Sequence, residues 1–257
     1  MTGPLGAGER VMLVDSKRRH YLVTLQAGGE FHSHKGVVRH GELIGAPEGS
    51  VVVSTRNEPY TALRPTLEDF VLLMPRGAQV IYPKDLGAIL MLADIAPGMR
   101  VFESGVGSGA LSTAMLRVGA DVVGYEIRED FANRARSNVG SFLGVAALTY
   151  YRVELRDAYD GVDDGPYDRV VLDLPEPWRV VPHAEKVMAS GGVLCAYTPS
   201  IVQATQTREA LGGGPWTEAR TLEVLHRTWH IDGLAVRPDH RMVAHTGFLT
   251  TARLLGR

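Results

Sequence analysis

Two acids and a three-glycine turn share one short stretch of this chain. The run Val101-Phe102-Glu103-Ser104 leads into Gly105-Val106-Gly107-Ser108-Gly109-Ala110-Leu111, and Val122-Val123-Gly124-Tyr125-Glu126 follows. An apolar run, a glycine turn, a helical stretch and a second apolar run ending in an acid describe a strand–loop–helix–strand unit. Such a unit holds a nucleoside-sized ligand over its glycines. Gly105-x-Gly107-x-x-Ala110 fits the dinucleotide fingerprint, and Glu126 lies about 20 residues on, where a ribose-binding acid belongs. Charge separates the two candidate cofactors. NAD would place an anionic pyrophosphate over the loop, on the positive end of a helix. S-adenosylmethionine would place a sulfonium and an α-ammonium there. Glu103 repels the first and attracts the second, which favours S-adenosylmethionine. A glycine-rich turn without a ligand is the remaining alternative.

Further acids fall near strand ends. Asp173 closes Val170-Val171-Leu172-Asp173, and Asp157 follows another expected strand. In open α/β sheets, ligands bind outside the carboxyl ends of the strands. Glu103, Glu126, Asp157 and Asp173 all belong on that rim, which suits a cationic, nucleoside-bearing cofactor and a substrate that becomes positive. The alternatives are a helix cap or loop packing for Asp173 and a solvated loop for Asp157, beside Asp160, Asp163 and Asp164. Trp178 either packs beside a bound base or fills the core. Glu176 reads as structural.

The elements that must position these residues begin near residue 82. Strands are predicted at 100–104, 121–126, 148–153, 168–173 and 192–198. Helices are predicted over 85–92 and near 109–118, 129–143, 179–189 and 200–211. This alternation implies an α/β fold with a mainly parallel, helix-covered sheet. Apolar runs near 220–231 and 245–254 suit a closing antiparallel pair, which by fold analogy is typical of methyltransferases. The preceding chain is β-rich, with short runs at 11–14, 21–25 and 51–53 separated by turn residues. Thr66 caps a helix that Pro75-Arg76-Gly77 ends. The expected domains are a small N-terminal β domain over 1–72, an RNA-contact or oligomer surface, and a cofactor-binding catalytic domain over 73–257.

Composition narrows the class. The 257 residues carry a formal net charge of −2 and one cysteine, Cys195, in an apparent buried strand. No disulfide framework or cysteine-based metal site is possible within one chain. No apolar stretch suits a transmembrane helix, and the N-terminus shows no signal peptide. The expected compartment is cytoplasmic. Basic and histidine clusters occur at Lys17-Arg18-Arg19-His20, at His32, His34, Lys35, Arg39 and His40, and at Arg237, His240, Arg241 and His245. They are either solvated turns or a local nucleic-acid grip. His32, His34 and His40 lack a partner that completes a ligand set, so no metal is expected.

Beyond the glycine loop, several segments are narrower in distribution: Phe31-His32-Ser33-His34-Lys35-Gly36, Ile81-Tyr82-Pro83-Lys84-Asp85, Asp173-Leu174-x-x-Pro177-Trp178, Gly233-Leu234-Ala235-Val236-Arg237-Pro238 and His245-Thr246-Gly247-Phe248-Leu249. With these the chain resembles, through nearly its whole length, the homotetrameric bacterial and archaeal tRNA (adenine-N1)-methyltransferases acting at position 58. The resemblance implies a Rossmann-like S-adenosylmethionine-dependent fold of seven strands, the last antiparallel, and a tRNA substrate. It implies that Ser108, Gly109, Ala110 and Leu111 cradle the methionine end of the cofactor, which Gly105 and Gly107 also bind, that Glu126 binds its ribose and that Asp157 accepts from its adenine amino group. Phe131 matches a cofactor-contacting position where some relatives carry His. Asp173 is expected to face the target base, with Tyr82 at the pocket mouth. Val106 departs from the usual Ala or Thr.

Three other readings compete. A methyltransferase for a small molecule or protein carboxylate explains the glycine loop and Glu126, but neither the N-terminal β domain nor the Asp173–Trp178 segment. A non-catalytic RNA-binding subunit conflicts with the intact acids. An NAD-linked oxidoreductase conflicts with Glu103.

Overall fold

The computed structural model describes residues 3–77 and 79–256. Contacts divide the chain into two compact units, Met1–Pro75 and Arg76–Arg257.

The first unit contains β1 (Arg10–Asp15), β2 (His20–Thr24), β3 (Glu30–Ser33), β4 (Gly36–Arg39), β5 (Val51–Val53), β6 (Pro59–Leu63) and α1 (Leu67–Leu73). An antiparallel sheet runs in the order β2-β1-β6-β5, and β3 and β4 form a separate hairpin. Val11, Leu13, Leu25, Val38, Tyr60 and Ala62 are among its core residues. Reading the sequence by apolar runs misses β3, β4 and β6. The hairpin turns His32 and Arg39 outward and so reads as a charged loop. In β6, Pro59 takes the first position, where a strand tolerates proline, and burial then alternates through Tyr60 and Ala62. Thr66 and Asp69 form the capping box of α1. Part of the basic cluster is committed internally. Arg19 Nε donates to Asp15 at 2.7 Å, Lys35 pairs with Glu58, and His40 is buried.

The second unit contains α2 (Pro83–Leu92), β7 (Arg100–Ser104), α3 (Ala110–Arg117), β8 (Asp121–Glu126), α4 (Glu129–Leu143), β9 (Tyr151–Leu155), β10 (Tyr167–Leu172), α5 (Val181–Val187), β11 (Met188–Thr198), α6 (Ile201–Gly212), β12 (Trp216–Glu223), β13 (Trp229–Asp232), β14 (Ala235–Pro238) and β15 (Phe248–Leu254). Its seven-stranded sheet has the order β12-β15-β11-β10-β7-β8-β9. Strands β7 to β11 pair in parallel, and β15 runs antiparallel between β11 and β12. This is the Rossmann-like arrangement expected. Strands β7 and β8 are buried along nearly their whole length, as a helix-covered parallel sheet requires.

Four expected boundaries move, the start of the strand expected at 192 falling back to Met188. The third parallel strand begins at Tyr151 rather than 148, because Gly144 ends α4 and Val145–Tyr150 forms a 3-10 turn. Tyr151 then pairs with Val122, level with the start of β8. The expected helix over 179–189 divides into a 3-10 turn at Pro177–Arg179 and the shorter α5. The apolar run at 220–231 also divides: β12 ends at Glu223, and Trp229–Asp232 pairs only with Ala235–Pro238, outside the main sheet. Apolar content alone does not separate a sheet strand from an exposed hairpin.

Candidate active site

Strand β7 is flanked by β8 on one side and β10 on the other, so the chain reverses direction across the sheet at the β7–β10 junction. Such a reversal opens a crevice at the carboxyl ends of the strands. The glycine loop and Asp173 border it. Asp173 follows β10 directly, and its N–H donates to the Ser104 carbonyl at 2.9 Å.

The three glycines do different work. Gly105, Gly107 and Gly109 have φ of 87°, 54° and 80°, values that suit glycine. A Cβ on Gly105 would lie 1.9 Å from the Asp173 carbonyl oxygen, and one on Gly109 would lie 3.0 Å from Ala135 of α4. Packing therefore demands glycine at both. Only Gly107 opens to free space, with nothing nearer than the Gly105 carbonyl at 3.9 Å, so close ligand approach is left to this middle residue.

Glu103 occupies a different place from the one its position suggests. Sequence puts it on the rim. The structure buries it completely beneath the loop, because the side chain of this penultimate β7 residue points into the protein rather than to solvent. Ser112 Oγ donates to its Oε2 at 2.6 Å, and Tyr151 OH donates to Ser112 Oγ at 2.8 Å. Its Oε1 is buried without a hydrogen-bond partner. Burial pushes the carboxyl up to about 8; the Ser112 bond opposes this, while Asp173 and Glu126 add to it. Burial likewise pushes the Asp173 carboxyl up to about 7, although part of its surface remains accessible.

Glu126 ends β8 and is nearly buried. Its Oε2 accepts from the Gly107 N–H and its Oε1 from the Arg128 N–H, both at 2.9 Å. The carboxylate thus fixes the loop it was expected to serve, and its remaining lone pairs are available to ribose hydroxyls. Asp157 lies just beyond β9, exposed, with Oδ1 accepting from the Tyr159 N–H at 2.8 Å. Phe131, in the first turn of α4, carries the Arg128 guanidinium 3.9 Å over its ring, so one face is already covered. Ser108, Ala110 and Leu111 are buried at the start of α3, and Ser108 Oγ has no partner. Tyr82 caps α2 at its N-terminus and is partly exposed. Trp178 lies half-buried in the 3-10 turn, where Glu176 pairs with Arg179 at 2.9 Å.

One neighbour escaped the sequence reading. Tyr197 precedes the last residue of β11, beside the end of β10, and its OH donates to the Thr246 carbonyl. Burial pushes its phenol up to about 12, with the charges of Asp85, Asp173 and Tyr82 contributing. Its place at a strand's carboxyl end was the available signal, hidden inside an apolar run.

These features fit a cation. Desolvated carboxyls, an unpartnered Glu103 oxygen and an open Gly107 favour a positively charged group with hydrogen-bond donors and disfavour a pyrophosphate. S-adenosylmethionine meets both conditions.

Comparison with known proteins gives the same direction. Residues 60–236 match the family described as the tRNA methyltransferase complex GCD14 subunit, and residues 3–52 match a TrmI-like N-terminal family. The tRNA (adenine(58)-N(1))-methyltransferase TrmI of Thermus thermophilus is 38% identical over 95% of this chain and 96% of its own. The tRNA (adenine(57)-N(1)/adenine(58)-N(1))-methyltransferase TrmI of Methanocaldococcus jannaschii is 31% identical over 95% and 94%. Among solved structures, the tRNA (m1A58) methyltransferase TrmI of Aquifex aeolicus superposes with a TM-score of 0.84 at 28% identity, covering 99% of this chain and 100% of that one. A Thermotoga maritima protein described as a SAM-dependent O-methyltransferase superposes with a TM-score of 0.92 at 29% identity, covering 99% and 96%.

Proposed function

The chain belongs to the family of tRNA (adenine-N1)-methyltransferases, and from that membership we propose that it methylates N1 of adenine 58 in the T loop of tRNA, giving 1-methyladenosine. The cofactor is S-adenosylmethionine, which supplies an activated methyl on a sulfonium. The observation that carries the site assignment is the gathering of Glu103, Glu126 and Asp173 around the glycine loop at the carboxyl ends of β7, β8 and β10.

In this reading the loop of Gly105, Gly107, Ser108, Gly109, Ala110 and Leu111 cradles the methionine end with Gly107 at the closest approach, and the buried Glu103 carboxyl ionises as the cationic cofactor binds. Glu126 takes the ribose, Asp157 the cofactor's adenine and Phe131 a stacking contact. Asp173 holds the target base by accepting from its exocyclic amine. Adenine N1 carries a lone pair, so it needs in-line positioning rather than a general base. On methylation the base becomes a cationic amidine. An Asp173 carboxylate accepting from N6 therefore binds the transition state more strongly than the ground state. Its backbone, held by Ser104 and seated against Gly105, needs little reorganisation. The target base, paired and stacked in the folded T loop, has to be extruded to reach it, and Tyr82 stands at the mouth.

Extrusion requires a grip on the backbone. The exposed Arg237, His240 and Arg241, with Arg18 and His32 of the first unit, are our candidates for phosphate contact. We further propose that the active species is a homotetramer. In the β13–β14 hairpin, Ile231 is 74% exposed and Leu234 fully so. A two-stranded hairpin with bare apolar side chains is at best marginal alone in water, and a second copy supplies a symmetric cover. Light scattering should give a tetramer mass that falls for Leu234→Glu; a wild-type monomer would refute the assembly. Among the described residues no helix is long and apolar enough to cross a membrane; the tRNA substrate supports a cytoplasmic location.

The direct test of function is transfer of labelled methyl from S-adenosylmethionine to an unmodified tRNA transcript, followed by nucleoside analysis. The expected product is 1-methyladenosine, lost when position 58 is not adenosine. Measurable cofactor binding with no tRNA methylation would point to another acceptor.

A further inference from the structure

At the start of α2 lies a buried polar cluster that none of the roles above uses. Asp85 is fully buried and the Lys84 side chain nearly so. Lys84 Nζ donates to Asp85 Oδ1 at 2.9 Å, to the Val224 carbonyl at 2.7 Å and to Thr246 Oγ1 at 2.5 Å. Thr246 Oγ1 in turn donates to Asp85 Oδ2 at 2.6 Å. All three ammonium donors have acceptors, and the Thr246 hydroxyl acts as both donor and acceptor. Val224 and Thr246 are the two roots of the excursion that leaves β12, forms the exposed hairpin and returns to β15.

Two tyrosines adjoin this cluster. Tyr82 is the N-cap of the same α2. Tyr197 donates to the backbone carbonyl of Thr246, and a Cβ on Gly247 would lie 2.5 Å from its ring, so the backbone at 246–247 fixes that ring. A buried, fully paired ionic network is a poor source of net stability, and its attested use is to fix one arrangement over others. Here it joins two chain segments more than a hundred residues apart, one starting at Tyr82 and the other bonded through Thr246 to Tyr197 of β11.

We propose that Lys84, Asp85 and Thr246 form a positioning latch that ties both roots of the 224–246 excursion to the start of α2 and so fixes Tyr82 and Tyr197 beside Asp173. The assignment to methyl transfer rests on the function proposed above. None of the three touches the reacting atoms; they act through the tyrosines. Because the hairpin rises from the same roots, what the excursion binds at its tip is mechanically connected to the base pocket.

Thr246→Val is the test, since it removes only the hydroxyl and leaves the Lys84–Asp85 pair intact. Single-turnover methylation of tRNA transcript should fall roughly 10- to 100-fold, the scale of a displaced reacting geometry. Cofactor affinity by calorimetry should stay within about twofold, since the latch does not touch that site. Thr246→Ser should restore the rate. Amide hydrogen exchange in Thr246→Val should quicken at 81–84 as well as at 244–247. A wild-type rate in Thr246→Val, equal loss in Thr246→Ser, or unchanged exchange at 81–84 would overturn the latch. A wild-type enzyme that binds cofactor yet leaves tRNA unmethylated would instead sink the functional reading, and the exchange data would then judge the tether by itself.

Discussion

Asp173→Ala should slow single-turnover methyl transfer to tRNA by roughly 150-fold, the equivalent of about 3 kcal/mol and the scale of losing one preorganised group that meets developing charge. The base becomes cationic on methylation, and the fixed carboxylate is the group placed to feel that change. Asp173→Asn separates charge from shape. It keeps an acceptor for N6–H and loses the ion, so its rate should lie between wild type and Asp173→Ala. The pH profile carries an independent signature. Burial raises the Asp173 carboxyl to about 7, so it is neutral below that pH and charged above it. The charged form is the useful one, and kcat/KM reports groups of the free enzyme. For wild type, kcat/KM should therefore rise through about pH 7 and level off above it; for Asp173→Asn this rise should disappear. Near-normal single-turnover rates in Asp173→Ala, or the same rise in both enzymes, would remove Asp173 from the mechanism.

Gly105→Ala should abolish measurable binding of S-adenosylmethionine while the N-terminal unit stays folded. The added Cβ would lie 1.9 Å from the Asp173 carbonyl oxygen, and the residue sits at φ 87°. A left-handed conformation costs a side-chain-bearing residue about 1–2 kcal/mol, and overpacking adds typically 1–3 kcal/mol. The relief available is to move the loop off the end of β10, which displaces Gly107 and Asp173 together. Gly107→Ala is the control: with open space around it, its alanine should cost less stability and weaken cofactor binding through the ligand side alone. Calorimetry for affinity and thermal melting for stability would compare the two. Equal melting temperatures for both variants would contradict the division of labour among the glycines.

The parts legible in the sequence were those that local chemistry dictates. Apolar runs with glycine punctuation marked β7, α3, β8 and α4, because a buried parallel strand must be continuously apolar and a tight loop must escape L-residue sterics. Glu126 and Asp173 marked the carboxyl ends of β8 and β10, whereas Glu103 lies buried rather than on the rim. The β3–β4 hairpin was hidden because its strands are short and turn charged side chains outward. β13 was merged with β12 because composition does not report which partner a strand has. The family resemblance added the tRNA substrate and residue roles that periodicity does not contain.

The sequence by itself therefore determined the sheet class, the cofactor loop and the preference for a cation over a pyrophosphate, since these follow from backbone sterics and the sign of neighbouring charges. Tertiary structure alone decided that Gly105 serves Asp173 and Gly109 serves Ala135, that Glu103 lies buried beneath the loop, and that Lys84 meets Thr246. Those facts depend on close approach between residues far apart in the chain, and on the desolvation that follows when packing excludes water from a carboxyl. Neither is a property of any local stretch of residues.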